Sequence, residues 1–312
     1  MTTVTDRQTA AVSSTQHLRS AQTGAGSPAL ARRRRRWRPA RSVLHVVTIA
    51  FMIIWFTPVL GLFVSAIRTQ ADSAATGWWM AIVQPLFTGL NYQQAISYIS
   101  AGESLATSLA IAIPTTVLTV VLSLIGAYAL TRMNFVGRTV ISLVLVAMLV
   151  IPPQVTLVPM LKFFSAIGLQ GTIPSVWMYQ VGFTVPFGIF LIRGFIASIP
   201  EELFEAAAID GASTFQTFRS IVAPLSLPVL ASLAIMQFLW SWNDLLIPLL
   251  FLGGSDLEAP LTVQVAGLVQ SNGEGEAVLM AATCVSILVP LIVLIALQRF
   301  FVRGVLGGAV KG

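Results

Sequence analysis

The segment EAAAIDGASTFQTFRSIVAP, from Glu205 to Pro224, separates two long apolar runs of the chain. It opens with acidic and alanine-rich residues, breaks at Gly211 and resumes at Ser213. Glycine readily takes the positive φ that ends many helices, and Ser213 followed three residues later by Gln216 is typical of a capping box. The pattern predicts two short helices joined at Gly211, the second of which ends at Pro224.

The first of these helices is expected to begin near Ser198, because Ser198 followed by Glu201 also fits a capping box. Each helix would have about ten residues, and isolated helices shorter than about 12 to 15 residues are marginal in water. Phe215, Phe218 and Val222 give the second helix an apolar stripe. The elbow, as residues 193–224 are called here, must therefore pack on its own bundle or on another protein, and the residues alone leave both possibilities open.

The chain around the elbow is apolar enough for a lipid environment. Of its 312 residues, 56% are hydrophobic and 10% are charged, whereas soluble domains average about 25% charged residues. Barrel strands of about ten alternating residues do not fit, so we predict an all-α polytopic membrane protein with six transmembrane helices. The predicted spans are Val43–Ile67, Leu105–Leu130, Thr139–Leu161, Ile173–Ile192, Leu225–Leu252 and Ala277–Leu297.

Basic residues indicate the orientation, because inserted chains keep them on the cytoplasmic side. If the N-terminus is inside, Arg68 and Lys162 are the basic residues left outside. The N-terminus, the C-terminus and the elbow are therefore expected to face the cytoplasm. The run RRRRRWR before the first span fits anchoring at anionic lipid headgroups, so membrane lipid rather than nucleic acid explains the pI near 10.2.

The predicted organisation has three parts. Residues 1–31 are rich in Ser, Thr, Gln, Ala and Gly and are expected to form a disordered cytoplasmic tail. Residues 32–42 form a basic juxtamembrane segment. Residues 43–312 are expected to form the six-helix transmembrane domain, which contains the elbow.

The spacing within the elbow resembles the EAA signature of permease subunits of ATP-binding-cassette (ABC) importers. In that signature Glu-Ala-Ala is followed by three residues, Gly, nine residues and Ile-x-Leu-Pro, and Ala223 is the one departure from it. The matching positions are Glu205, Ala206, Ala207, Gly211, Ile221 and Pro224. The segments NYQQAIS (91–97), SWNDLLIPLLFL (241–252) and QRFFVRGVLGGAVKG (298–312) are similar to those of MalG-like subunits of carbohydrate importers.

This resemblance implies a type I importer permease fold in a bacterial inner or plasma membrane. It implies that the chain forms half of a sugar pathway with a second, MalF-like permease subunit, two ATPase subunits and an extracytoplasmic sugar-binding protein. It also implies that the elbow is a coupling helix in a cleft of the ATPase. There Glu205 would pair with a cation, Gly211 would set the angle, and Phe215 and Phe218 would fill an apolar part of the cleft.

No enzymatic activity and no cofactor are expected of the chain itself. It has no Gly-x4-Gly-Lys-Ser/Thr phosphate loop, so ATP would be bound by the partner ATPase subunits. Two other functions remain open at this point: a permease for another solute, such as a polyamine or glycerol phosphate, and a membrane scaffold or enzyme that transports nothing.

Candidate residues for the translocation path are Trp240, Asn243 and Asp244, because polar groups inside a span are often functional. Asp244 lies about 28 Å along the fifth span from its inner end, which places it near the outer interface. It could line an outer gate with Trp240, or it could simply bond to a neighbouring helix.

Overall fold

The computed structural model describes residues 38–253, 259–270 and 275–309. The predicted tail of residues 1–31 and residues 32–37 of the basic segment lie outside the described residues. Regular structure in the described residues is helical, apart from one isolated bridge between Arg68 and Phe87. The helices are α1 (Arg38–Ile67), α2 (Gln70–Ala75), α3 (Leu90–Tyr98), α4 (Ala101–Arg132), α5 (Arg138–Val150), α6 (Pro153–Ala166), α7 (Ile173–Ile196), α8 (Glu201–Ile209), α9 (Thr214–Thr217), α10 (Ala223–Asn243), α11 (Leu246–Leu252), α12 (Leu261–Gln270) and α13 (Glu276–Ala309).

The described part of the chain divides within α1 into two units, one that ends at Leu60 and one that begins at Gly61. In the first unit, the hydroxyl groups of Thr48 and Thr57 donate to the carbonyl oxygens of Leu44 and Ile53, each over 2.8 Å. These bonds within one helix satisfy both threonine hydroxyl groups.

The second unit is organised around α4, α7, α10 and α13. Helix α4 packs along α7 and α10, and α10 packs along α13. Small side chains are buried where these helices meet, among them Ala112, Ala281 and Ala282, which lie in one cluster with Phe238 and Trp242. Gly188 of α7 lies directly against the side chain of Ser123 of α4, where a Cβ atom would clash. Small residues allow this close approach, as they commonly do between membrane helices.

Five described helical segments have the length and composition of membrane spans. They are Ser42–Ile67, Ala101–Arg132, Ile173–Ile196, Thr214–Asn243 and Glu276–Gln298. A sixth span exists if α5 and α6 are taken together, although these two helices meet at 106°. The prediction of six apolar spans is therefore confirmed for five continuous segments and one bent pair.

The third predicted span, Thr139–Leu161, is wrong as a continuous helix. The bend falls at Pro152 and Pro153, where a proline ring removes a backbone donor and disfavours helical geometry in the preceding residue. The fifth predicted span, Leu225–Leu252, is also interrupted. Helix α10 ends at Asn243, and Asp244 has an extended backbone with ψ of 118° before α11 begins.

The connection between α1 and α3 is built around Arg68, whose side chain is 2% exposed. Its guanidinium donates to the carbonyl oxygens of Asp72, Thr76 and Gly77 over 2.8–3.2 Å. The side-chain amide of Asn91 in α3 donates to the carbonyl oxygens of Ala66 and Arg68 over 2.9 and 2.7 Å. These bonds hold α3 against the C-terminal end of α1 and the residue that follows it.

Candidate functional site

The elbow contains the predicted turn at Gly211. Its φ is 70°, in the left-handed region that residues without a Cβ adopt readily. The Gly211 amide donates to the Ala208 carbonyl over 3.1 Å, and the Ala212 amide donates to the Ala207 carbonyl over 2.9 Å. This pair of bonds is the Schellman arrangement that closes a helix, so α8 ends where the sequence predicted.

The predicted capping box at the start of the first elbow helix is wrong. Helix α8 begins at Glu201 with Pro200 as its N-cap and with no side-chain cap. The Ser198 hydroxyl instead donates to the Phe195 carbonyl over 2.7 Å, which satisfies a free carbonyl at the end of α7. Glu201 and Glu202 still lie in the first turn of α8, where negative charge is favourable.

The second capping box is confirmed, but the helix that it starts does not end at Pro224. The Ser213 amide donates to Gln216 Oε1 over 2.7 Å, and the Gln216 amide donates to Ser213 Oγ over 3.3 Å. From α9 the chain passes through one π-helical turn, Phe218–Val222, directly into α10. Pro224 lies directly after this π-helical turn, which already interrupts the regular α-helical hydrogen bonds. The second half of the elbow is thus continuous with a membrane span.

The inner face of the elbow packs on the end of α4. The Tyr128 hydroxyl donates to the Thr214 carbonyl over 3.0 Å, and its ring lies 5.2 Å from that of Phe218. Arg132 forms an ion pair with Glu201 and lies 3.6 Å over the ring of Phe204. The elbow is therefore docked on its own bundle through both of its halves.

The outer face of the elbow is exposed and partly apolar. Ile209 is 86% exposed and Phe215 is 68% exposed, although both are large apolar side chains. Of the predicted coupling residues, five are exposed, one is buried and two are partly buried. The exposed residues are Glu205, Ala206, Gly211, Phe215 and Pro224, the buried residue is Ala207, and the partly buried residues are Phe218 and Ile221.

The predicted path residues lie at the opposite end of α10, which has 21 residues and a length of about 30 Å. Trp240 and Asp244 line one cavity of about 160 Å³. Asn243 does not line it, and its amide donates to the Leu239 carbonyl of its own helix over 2.7 Å. The structure thus brings two of the three residues together.

Asp244 is bonded to the neighbouring helix, as one of the two sequence interpretations expected. One carboxylate oxygen accepts from Gln180 Nε2 of α7 over 2.8 Å, and the other accepts from the Ile247 amide in the first turn of α11 over 3.2 Å. Gln180 Oε1 accepts in turn from Ser241 Oγ over 2.7 Å. This chain of bonds spans the gap between α10 and α11 and holds both to α7.

Sequence reasoning missed Gln180 and Gln237, which both line the cavity and are 4% and 1% exposed. Their residue type could have indicated them, because an amide side chain inside a membrane span is unfavourable unless it is hydrogen-bonded or functional. In the described parts of the chain, no group of three or more His, Cys, Asp or Glu residues is placed to hold a metal ion.

Comparison with known proteins gives a consistent result. The family described as "Binding-protein-dependent transport system inner membrane component" matches residues 120–307, more than half of the chain. The chain is 42% identical over 279 residues to the osmoprotective compounds uptake permease protein GgtD of Synechocystis sp., covering 88% of this chain and 93% of that protein. It is 41% identical over 254 residues to the alpha-glucoside transport system permease protein AglG of Rhizobium meliloti, covering 80% of this chain and 67% of that protein.

A solved structure shares the fold. It is the crystal structure of a bacterial ABC transporter involved in the import of the acidic polysaccharide alginate, with a TM-score of 0.60 over 85% of this chain and 96% of that one. The sequences are 16% identical, so this likeness concerns the fold. Together with the apolar helices, the family match establishes a multi-pass membrane protein of a transporter family. The chain belongs to the family of binding-protein-dependent transport system inner membrane components.

Proposed function

We propose that this chain is the permease subunit of an ABC importer for a sugar, and that it is a transport subunit with no enzymatic activity of its own. The observation that carries the proposal is the geometry of the elbow. Its inner face is fixed to α4, it continues directly into α10, and its outer face presents Ile209 and Phe215 to the surroundings. An apolar face on a rigid, exposed element is typical of a protein-binding surface.

The partner of this face is a separate ATPase subunit. Glu205 is exposed and able to pair with a cation on that subunit, and Phe215 supplies the larger apolar contact. Phe218 is half-buried against Tyr128, and its ring lies 6.4 Å from that of Phe215, so it supports Phe215 from behind. Gly211 fixes the angle between α8 and α9.

Coupling follows from the continuity of the elbow with the bundle. A displacement of α9 passes through the π-helical turn into α10 without an intervening loop. The same displacement passes to α4 through Tyr128 and Arg132 and to α7 through the short turn before α8. Closure of two ATPase subunits around ATP would thereby move three spans together and change the access of the pathway.

The complete importer would also contain a second, MalF-like permease subunit and an extracytoplasmic sugar-binding protein. This chain would form half of the pathway, with Trp240, Asn243 and Asp244 toward its outer end. Both termini and the elbow would face the cytoplasm. A cysteine at Ala212 in a Cys284→Ala background checks this orientation, since reagent added from outside should not label it.

A sugar substrate is supported by the relative named as an alpha-glucoside permease. The relative named for osmoprotective compounds supports a second candidate, an osmoprotective solute of another class. Reconstituted importer supplied in turn with trehalose, glycine betaine, spermidine and glycerol 3-phosphate separates these classes. Stimulation of ATP hydrolysis by trehalose supports the proposal, and stimulation only by one of the others contradicts it.

The coupling role of the elbow is tested by Gly211→Val. Open space surrounds the Gly211 Cα, so the added side chain meets no neighbour and acts through backbone strain alone. Holding a β-branched residue at φ of 70° costs about 1–2 kcal/mol, which the chain avoids by changing the turn. We expect insertion to persist while copurification of the ATPase and uptake are lost.

Gly137→Val is the matched control. Gly137 has φ of 91°, also has no neighbouring atom within 4 Å, and lies between α4 and α5 outside the elbow. It carries a similar strain, so it should leave ATPase binding and uptake close to those of the wild type. Gly211→Asn, which tolerates a positive φ, should retain much of the coupling. Normal uptake by Gly211→Val would remove the elbow from the mechanism.

A further inference from the structure

The connection between α1 and α3 carries an apolar surface that lies outside the membrane spans. Its large apolar side chains, between residues 79 and 90, are 56–83% exposed. The sequence from residue 73 to residue 102 contains no acidic or basic residue. Proteins rarely leave a surface of this kind in water, so a covering is expected. The surface is called the loop face here, and its members are Trp79, Ile82, Val83, Leu86, Phe87 and Leu90.

The backbone that carries the loop face is held at both of its ends. At the start, the guanidinium of the buried Arg68 donates to the Gly77 carbonyl over 2.8 Å. At the end, the Thr88 amide donates to the Ile67 carbonyl over 2.7 Å. The apolar side chains are therefore turned outward by a fixed backbone and not by a loose one.

The same connection lies at the level where a membrane span ends. The span that contains α1 ends at Ile67, and the bridge between Arg68 and Phe87 brings the loop face back to that point. Trp78 lies against Gly61, about two turns before the end of α1, where a Cβ atom would come within 2.9 Å of the indole nitrogen. Residues at the end of a span lie near the boundary between hydrocarbon and headgroups. The loop face is thereby expected at this boundary.

The chemistry of the loop face favours lipid over a protein partner. Protein interfaces have a polar rim and many hydrogen bonds, and a partner that docks and leaves needs both. Within residues 79–90, Gln84 is the one polar side chain classed as exposed. The charged groups nearby are turned inward, since Arg68 bonds to backbone carbonyls and the Asp72 carboxylate accepts from the Thr69 hydroxyl. An indole ring beside uncharged aliphatic side chains is typical of a membrane interface.

We propose that the loop face inserts into the membrane at the C-terminal end of α1, among the headgroups and the upper parts of the acyl chains. The loop is then a membrane element that does not span the bilayer. It anchors the connection between α1 and α3, and through α3, which packs on α13, it holds one end of a span at constant depth. The proposal goes beyond the import function and does not depend on which solute is carried.

Accessibility of a nitroxide spin label tests the proposal. The label is attached to Ile82→Cys in a Cys284→Ala background, and the complete importer is placed in nanodiscs of phosphatidylcholine. Oxygen concentrates in the bilayer and a neutral nickel complex stays in water, so the ratio of their collision rates, measured by electron paramagnetic resonance, reports depth. Insertion by about 5–10 Å should make this ratio about fivefold higher than at a position in water.

Ala74→Cys, in the same background, is the matched control. Ala74 is exposed and belongs to the same connection, but it lies on α2, which contains Asp72 and no large apolar side chain. Its label should collide mainly with the nickel complex. Leu86→Cys, at another exposed position of the loop face, replaces Ile82→Cys if that variant fails to assemble.

Each other outcome overturns the proposal. A ratio at the loop face equal to that at Ala74 means that the face lies in water. A label shielded from both reagents in the complete importer means that protein covers the face, and access to oxygen in the chain alone would identify a second subunit as the cover. A high ratio that requires added phosphatidylglycerol contradicts an apolar contact, because the face carries no charge that would bind an anionic headgroup.

Discussion

The elbow and the cavity lie at opposite ends of α10, and they are held together in different ways. The elbow is fixed by several separate contacts, which include two caps, the Tyr128 hydroxyl bond, a ring contact and the Arg132 ion pair. At the cavity end, Asp244 is the residue whose carboxylate joins α7 to α11 at the break that follows α10. Each end also leaves a buried polar atom without a partner among the described residues, Arg132 Nε beside the elbow and Gln237 Oε1 at the cavity.

This difference fits the tasks proposed for the two ends. An element that transmits displacement must resist deformation, and contacts spread over many residues make it insensitive to the loss of any one. A site that admits and releases a solute must be able to change, and interrupted helices with few bonds allow that. The comparison predicts that single substitutions at the cavity end cost more than those at the elbow.

The largest effect is expected from Asp244→Leu. It removes the acceptor of two donors, Gln180 Nε2 and the Ile247 amide, and Gln180 is 4% exposed. Each buried donor left without a partner costs about 1–3 kcal/mol, so the free energy of unfolding should fall by about 3 kcal/mol. Unfolding of the purified chain by titration with sodium dodecyl sulfate measures this change.

Asn243→Leu is the control for this substitution. Asn243 is the adjacent residue, is exposed, and bonds only to the Leu239 carbonyl among the described residues. Its replacement should change the free energy of unfolding by no more than about 0.5 kcal/mol. Equal losses for the two variants would mean that Asp244 is not the residue that holds this end together.

The cavity end also shows where sequence analysis failed. The apolar run Leu225–Leu252 predicts one span, because hydropathy is averaged over the run. It does not show that Asp244 bonds to α7 and that the helix is interrupted there. The run Thr139–Leu161 hides a bend of 106° for a related reason. Its proline pair can kink a helix or end it, and only packing against α7 and α11 decides which.

The elbow was predictable to a greater extent because its signals are local. The turn at Gly211 and the cap at Ser213 each depend on residues within five positions of each other, and both are confirmed. The failed cap at Ser198 also has a local cause, since that hydroxyl bonds to the Phe195 carbonyl three residues earlier, at the end of α7. Docking on α4 involves Tyr128, which is 86 positions before Thr214, so no local pattern could indicate it.

A smaller effect is expected from Tyr128→Phe. The substitution removes the hydroxyl bond to the Thr214 carbonyl and retains the ring contact with Phe218. One neutral hydrogen bond contributes about 1 kcal/mol, so the amides of residues 214–218 should exchange hydrogen about fivefold faster. Hydrogen–deuterium exchange with mass spectrometry measures these rates in the assembled chain.

Tyr179→Phe makes the same chemical change at the cavity. Its hydroxyl donates to the Pro153 carbonyl over 2.6 Å, at the other end of the bundle. Exchange in the elbow should then match wild type. An elbow that loosens equally in both variants would show that the two ends are not held independently, and the contrast drawn above would fail.

The smallest effect is expected from Glu201→Gln, which removes the charge that pairs with Arg132. The two side chains are 63% and 18% exposed, and pairs with such access to solvent contribute about 0–1 kcal/mol. Arg132 also keeps its position over the Phe204 ring, so hydrogen exchange in the elbow should become no more than about twofold faster.

Glu202→Gln is the control, because it also removes a favourable negative charge from the first turn of α8. The difference in elbow exchange rate between the two variants therefore isolates the contribution of the ion pair. That difference should shrink as salt is raised, because exposed charges are screened. A loss as large as that of Asp244→Leu and insensitive to salt would mean that the elbow, too, depends on a single residue.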